Sequence, residues 1–168
     1  MQEATLCYLV LGDQVLLIEK HRGLGSGLYN GPGGKIESGE TPQEAIEREV
    51  TEEVGIEVID PTKHAELSFL HDGEPVLFAH VFRATEFDGE PRPSPEATPV
   101  WFDRSALPYD EMWDDDYLWL PHVIEGDRLI GEFSFEGGET LDDATFVDHE
   151  LEVNPASFDG PPTVSTGR

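Results

Sequence analysis

Six glutamates crowd residues 40–53 of this chain. Glu40, Glu44, Glu47, Glu49, Glu52 and Glu53 fall within GKIESGETPQEAIEREVTEEVGI, residues 34–56, around a single arginine, Arg48. A helix gains nothing from such density, because like charges one turn apart cost about 0.2–0.5 kcal/mol per pair. A divalent cation among them reverses the sign. Magnesium suits the donors: it is hard, takes oxygen ligands and bridges to substrate phosphates, with manganese as an alternative. No cysteine or histidine stands among the donors, which argues against zinc and copper. The chemistry such a site supports is hydrolysis at phosphorus.

The elements that must position these acids are also legible. Thr41-Pro42-Gln43-Glu44 reads as a capping box with proline at the first helical position, and Gly55 as the helix stop. The body of about thirteen residues spans roughly 20 Å. Ile46, Val50 and Val54 recur every four residues as an apolar stripe. Glu49 and Glu53 share that spacing and Glu52 lies one step round, so all three carboxylates converge beside the stripe. The glycine-rich run Gly31-Pro32-Gly33-Gly34 lets backbone approach closely, and a carbonyl near Gly34 offers a further ligand.

Gly34, Glu40, Arg48, Glu49, Val50, Glu52, Glu53, Gly55 and Ile56 fill every slot of a pattern that resembles the signature box of the Nudix hydrolases, which cleave nucleoside diphosphates linked to another group. The resemblance implies that Gly34, Glu49 and Glu53 hold metal. It implies that Glu52 binds metal or activates water, and that Arg48 and Glu40 brace the loop against the helix. Glu96 matches an acid of the opposite loop that reaches the metal site in many Nudix enzymes. The catalytic set is then Glu52, Glu53, Arg48 and Glu40, with Glu52 and Glu53 both open as the base.

From Thr5 to His149 the chain also resembles one branch, the oxidised-purine nucleoside triphosphatases. Three segments carry this likeness: Lys20–Asn30 (KHRGLGSGLYN), Val100-Trp101-Phe102, and Met112–Trp119 (MWDDDYLW). It implies that Asn30 hydrogen-bonds a purine, that Trp113 stacks on it, and that Asp115 and Asp116 contact its Watson–Crick edge. Thr5, Lys20 and Leu24 match positions lining the same pocket. Two adjacent carboxylates in a closed pocket resist joint ionisation, so one can keep its proton and donate. Leu24, Tyr29, Ala97 and Asp114 depart from the branch pattern. All four are expected in the pocket wall, where they bear on the choice between an oxidised and a normal base.

Composition narrows the field. There are 36 acids against 10 bases, a net charge of −26. Such a chain does not bind nucleic-acid backbones by counterion release. Its acids are spread throughout, as in proteins of salt-loving cytoplasms, where strong screening shortens repulsion. No stretch is apolar enough for a membrane span, and the basic leader of a secretory signal is missing from MQEATLCYLV. With Cys7 as its lone cysteine, the chain is expected in the cytoplasm. No pair among its six histidines has metal-ligand spacing on an expected helix.

The length suits one domain. Strands are expected at Thr5–Leu11 and Gln14–Glu19, at Ile56–Ile59, and at Lys63–His71 and Pro75–Ala84 around an Asp72-Gly73 turn. A four-proline loop over Glu90–Pro99 precedes a short strand, Val100–Phe102, and a helical turn, Arg104–Leu107. A second helix over Asp114–Glu125 should kink or break at Pro121. Strands at Asp127–Phe135 and Ala144–Leu151 close a domain of residues 1–153, and residues 154–168 read as a frayed, disordered tail. These elements give an α/β fold, an α/β/α sandwich with a mixed β-sheet, which agrees with the Nudix fold.

The whole implies a magnesium-dependent hydrolase acting on a nucleotide, an oxidised purine nucleoside triphosphate, as monomer or homodimer. It yields a nucleoside monophosphate and pyrophosphate and cleanses the nucleotide pool. The alternatives are other Nudix substrates such as ADP-ribose or a dinucleoside polyphosphate, a non-catalytic Nudix binding module, and an isoprenoid diphosphate isomerase. The module would have lost box acids, and none is lost here. The isomerase needs a reactive pocket cysteine, and Cys7 is placed in the first strand.

Overall fold

Alternation along the first strand sets the architecture. In the computed structural model, which describes residues 1–162, β1 (Gln2–Leu11) sends Tyr8 and Val10 into one core and Cys7 and Leu9 into another. A strand buried on both faces reads as a continuous apolar run, which is why LCYLV shows no alternation.

β1 runs parallel to β7 (Glu74–Ala84) and antiparallel to β2 (Gln14–Lys20) and β4 (Gly33–Lys35). The sheet is mixed. Its main order, edge to edge, is β11 (Thr145–Val153), β10 (Leu129–Glu136), β6 (Thr62–His71), β7, β1, β2 and β3 (Tyr29–Asn30). β9 (Ala97–Asp103) pairs with β2, and β5 (Glu57–Ile59) forms a small separate ribbon with β8 (Glu86–Asp88). The β6–β7 hairpin turns at Asp72 and Gly73, both at positive φ (49° and 84°), as a twist-matched two-residue turn requires.

Helix α1 (Pro42–Val54) covers one face. Thr41 and Glu44 form the reciprocal capping box, and Gly55 ends the helix in the left-handed conformation. Ile46, Val50 and Val54 are fully buried against Cys7, Leu9, Leu16 and Ile18. Helix α2 (Asp116–Glu125) covers the other face, setting Trp119, Leu120 and Val123 against Tyr8, Leu17 and Leu67. Two helices on opposite faces of a mixed sheet give the α/β/α sandwich.

Several local expectations are corrected. α2 starts at Asp116, not Asp114, and continues through Pro121 to Glu125. The carbonyl deprived of its partner by Pro121 is that of Tyr117, an exposed residue in the first turn, so water can take the missing donor's place. β9 begins inside the expected loop and includes Pro99, opposite Ile18. Proline is tolerated there because β9 is an edge strand, bonded to β2 alone. The helical turn expected at Arg104–Leu107 lies later, as a 3₁₀ turn at Tyr109–Glu111. Residues 154–162 pack onto the sheet instead of fraying. Pro155 is buried, the Gly160 N–H donates to Glu66 Oε1 at 2.7 Å, and Phe158 sits under Arg128, 4.7 Å from its ring centroid. The rest of the expected tail, residues 163–168, lies outside the described residues.

Candidate active site

The close approach of β4 to α1 builds one end of the site. The Gly33 N–H donates to Glu53 Oε1 at 2.7 Å. A Cβ at Gly34 would stand 2.6 Å from the Glu49 carboxylate, so any side chain there would displace that carboxylate. Thr5 donates its hydroxyl to the Gly34 carbonyl at 3.3 Å. Arg48 grips Glu40 with two bonds, Nε to Oε2 at 2.6 Å and Nη2 to Oε1 at 2.9 Å. The same guanidinium donates to the Lys35 carbonyl at 3.1 Å, to Glu49 Oε1 at 2.8 Å and to Glu52 Oε2 at 3.3 Å. A bidentate fork suits this bracing role and a lysine ammonium does not. Arg48 holds the Glu40 carboxyl down to about 2.

Burial acts the other way on the neighbouring acids. It pushes Glu53 up to about 8, against the opposing pull of the Gly33 N–H, and it raises Glu49 despite Arg48. The Glu96 carboxylate lies close enough to add to both shifts, and it sits 3.6 Å from Arg22. Glu52 is more open, with a side chain 55% exposed. Among the described residues no three acids, histidines or cysteines meet at one point as they stand, and the Arg48 guanidinium lies between Glu49 and Glu52. The donor set nevertheless fits a hard dication. Every donor is oxygen, the Glu53 carboxylate is held by the Gly33 backbone N–H, and Gly34 leaves the space against Glu49 that a side chain would fill.

A cavity of about 330 Å³ runs from Gly33 and Gly34 into the core beneath α2. Thr5, Lys20, Leu24, Asn30, Trp113, Asp115 and Asp116, seven residues spread over 112 positions of sequence, all line it. Lys20 spans the two ends. Its Nζ donates to the Leu24 carbonyl at 2.7 Å, while its charge favours ionisation of Glu53. Asp115 and Asp116 are both buried. Asp115 accepts the Trp119 indole N–H on Oδ2 at 2.8 Å, whereas its Oδ1 is buried without a partner. Burial pushes Asp115 up to about 6, and burial beside Asp115 holds Asp116 well above the ordinary carboxyl range. Burial thus favours a proton on this adjacent pair, Asp116 above all.

The expectation that four departures alter the pocket wall is corrected. Only Leu24 lines the cavity. Ala97 is fully buried in the other core, beneath α1. Tyr29 packs edge-on against Phe102 with centroids 5.0 Å apart, and Asp114 is exposed. Sequence reasoning also missed the floor of the cavity: Ala4, Phe69, Leu77, Ala79 and Phe135. The signal was two alanines inside otherwise bulky strands. Ala4 and Ala79 are directly paired between β1 and β7, and two adjacent small residues leave a hollow.

The geometry has counterparts among known proteins. The NUDIX domain family model matches residues 1–123. Over 149 residues the chain is 40% identical to an oxidized purine nucleoside triphosphate hydrolase of Danio rerio, covering 88% of this chain and 92% of that protein. It is 36% identical to the protein of the same description from Mus musculus, over 82% of this chain and 88% of that one. The crystal structure of a mutator MutT protein from Bacillus halodurans superposes with a TM-score of 0.77 at 33% identity, covering 90% of this chain and 98% of that one. With the family model spanning residues 1–123 and near full-length relatives at this identity, the chain belongs to the Nudix family.

Proposed function

We propose that residues 1–153 form a magnesium-dependent hydrolase of purine nucleoside triphosphates, oxidised purines above all, releasing nucleoside monophosphate and pyrophosphate. One observation carries this reading: a single cavity joins the glycine strand beside Glu49 and Glu53 to a purine-sized apolar hollow ending in Asp115 and Asp116. The names of the Danio rerio and Mus musculus relatives favour the same substrate.

Nudix hydrolases use divalent cations. Here Glu49, Glu53, Glu52, Glu96 and the Gly34 carbonyl would hold magnesium, with manganese as a substitute. When bound, the ion neutralises phosphate oxygens and makes water a better nucleophile at neutral pH. The protein supplies the rest. Trp113 offers the base a stacking face, worth about 1–3 kcal/mol. The Asp115 Oδ1 accepts a base N–H, and protonated Asp116 and the Asn30 amide donate to ring or carbonyl acceptors. Lys20 lies between base and phosphates. Glu52 or Glu53 takes the proton of the attacking water. Arg48, clamped to Glu40, fixes these groups, because small displacements of reacting groups cost much of the rate.

The net charge of −26 disfavours nucleic acid as a partner. No helix among the described residues is long and apolar enough to cross a membrane. The reading places the protein, as monomer or homodimer, in a cytoplasm, a salt-rich one by its charge. A panel of dGTP, dATP, 8-oxo-dGTP and ADP-ribose with magnesium, at low and high salt, tests it. Preferential turnover of 8-oxo-dGTP is expected. Equal kcat/KM for dGTP and 8-oxo-dGTP removes the sanitising role, and preference for ADP-ribose rejects the substrate class.

A further inference from the structure

The loop between β2 and β3 forms part of the cavity wall through Gly23 and Leu24. Most of the bonds that shape it are local. Gly27 N–H donates to the Lys20 carbonyl at 2.8 Å, Ser26 N–H to Gly23 at 3.1 Å and Leu28 N–H to Gly25 at 3.0 Å. The start of the loop is tied to the β9 side, where His21 N–H donates to the Glu96 carbonyl at 2.9 Å and His21 Nε2 lies 2.7 Å from the Thr98 hydroxyl; beyond Gly23 a different long-range bond takes over. The Gly25 N–H donates to Asp142 Oδ1 at 2.9 Å, between residues 117 apart in sequence. Asp142 belongs to the 3₁₀ turn Leu141–Asp143 joining β10 to β11, and its neighbour Leu141 lines the same cavity. That turn is firmly built: Thr140 caps it, and the Asp143 carboxylate accepts the Glu139 and Thr140 N–H groups.

What the bond holds in place is the base-stacking residue. Gly25 is buried at a φ of 80°. A Cβ there would stand 2.8 Å from Trp113 Nε1, so the edge of the indole lies directly on the loop backbone. On another side Trp113 meets Phe135 edge-on, with centroids 6.3 Å apart. The Asp142 carboxylate therefore ties one wall of the cavity to the other across the tryptophan.

Building on the purine triphosphate reading above, we infer that Asp142 is a positioning residue of the base pocket, latching the glycine loop against Trp113 and so setting how tightly a purine is held. It lies away from the box glutamates, so its loss acts on base binding and not on the chemical step. That pattern raises KM while leaving kcat alone. Asp142 is exposed, so Asp142→Ala keeps the fold.

The test is Asp142→Ala beside Asp142→Asn in the full chain, with magnesium. In Asp142→Ala the KM for 8-oxo-dGTP rises about tenfold, the size expected when a hydrogen bond to a charged acceptor is lost. Its kcat and the inhibition constant of inorganic pyrophosphate stay at wild-type values, and amide exchange at Gly25 accelerates by about the same factor. Asp142→Asn keeps an acceptor oxygen and restores most of both. An unchanged KM, a fall in kcat alone, unaltered Gly25 exchange, or an asparagine no better than alanine overturns the latch. Wild-type protein that neither binds nor hydrolyses purine nucleotides instead overturns the functional reading on which the latch depends, so the two failures are told apart.

Discussion

Asp115 and Asp116 line the cavity, the box glutamates stand behind its glycine end, and the protein neutralises the two groups by different means. At the box, Glu40, Glu49 and Glu52 share the Arg48 guanidinium. At the base end, no cation among the described residues acts on Asp115 or Asp116, and burial leaves a proton as the remedy. The difference follows from the task. Phosphates need positive charge, and the Arg48 fork keeps Glu40 ionised, while buried Glu53 and Glu49 are raised and call for a cation before they ionise fully. A purine edge needs donors and acceptors in fixed alternation, and an aspartic acid held neutral becomes a donor. A chain with 36 acids can build both sites from one kind of residue, provided it controls which acids see water.

Removing the acid nearest the phosphates breaks the comparison most severely. Glu53→Gln keeps an oxygen for the Gly33 N–H but cannot accept a proton or carry charge. The expected fall in kcat is about 10²–10⁴-fold. Metal-free thermal stability should hold or rise, because burial already disfavours the charged glutamate. Turnover close to wild type in a steady-state assay would show that Glu53 takes no part in the site.

The next largest effect concerns pH. Asp115 is raised from 3.8 to about 6 in the folded protein. A raised acid contributes stability that is intact below its unfolded value and is lost as pH climbs through the folded one, because the unfolded chain releases its proton first. The melting temperature should therefore fall between pH 4 and pH 6, with Asp115 contributing on the order of 3 kcal/mol to the change. Asp115→Asn combined with Asp116→Asn should flatten this part of the curve. Identical slopes in the double variant and the wild type would mean the pair is ionised and hydrated.

Smaller again is the stacking contribution. Trp113→Ala should raise KM for purine triphosphates by about 5–150-fold, the equivalent of about 1–3 kcal/mol, with inhibition by pyrophosphate unchanged. If pyrophosphate inhibition weakens equally, the two ends of the cavity are not separable.

The two ends were not equally legible in the sequence. α1 could be read almost to the residue because its signals are local: a capping box, a stop glycine and a four-residue apolar period lie within fifteen positions. Pro121 misled because its cost depends on where the orphaned carbonyl sits, and that of Tyr117 belongs to an exposed residue in the first turn. Ala97 was assigned to the base pocket by resemblance, yet its burial beneath α1 depends on β9 pairing with β2, a tertiary fact. Phe69, Leu77 and Phe135 look like ordinary core residues until β6, β7, β1 and β10 are assembled. Asp142 is the extreme case. In so acidic a chain one more surface aspartate carries no signal, and its partner is a backbone N–H 117 residues away.

The smallest expected effect sharpens the contrast by its sign. Glu40 is held at about 2 by the Arg48 fork, well below its ordinary 4.5. A depressed acid contributes stability that is present above the unfolded value and is lost as pH falls through the folded one. The box brace should therefore weaken between pH 4.5 and pH 2, whereas the base pair weakens from pH 4 upward. In metal-free protein, Glu40→Gln should make the acid limb of a melting-temperature profile shallower and leave the decline from pH 4 to 6 untouched. The Asp115→Asn, Asp116→Asn variant should do the converse. The measurement separates countercharge from proton as the neutralising device. If both variants alter the same limb, the two carboxylate groups share one electrostatic environment and the division between phosphate end and base end is wrong.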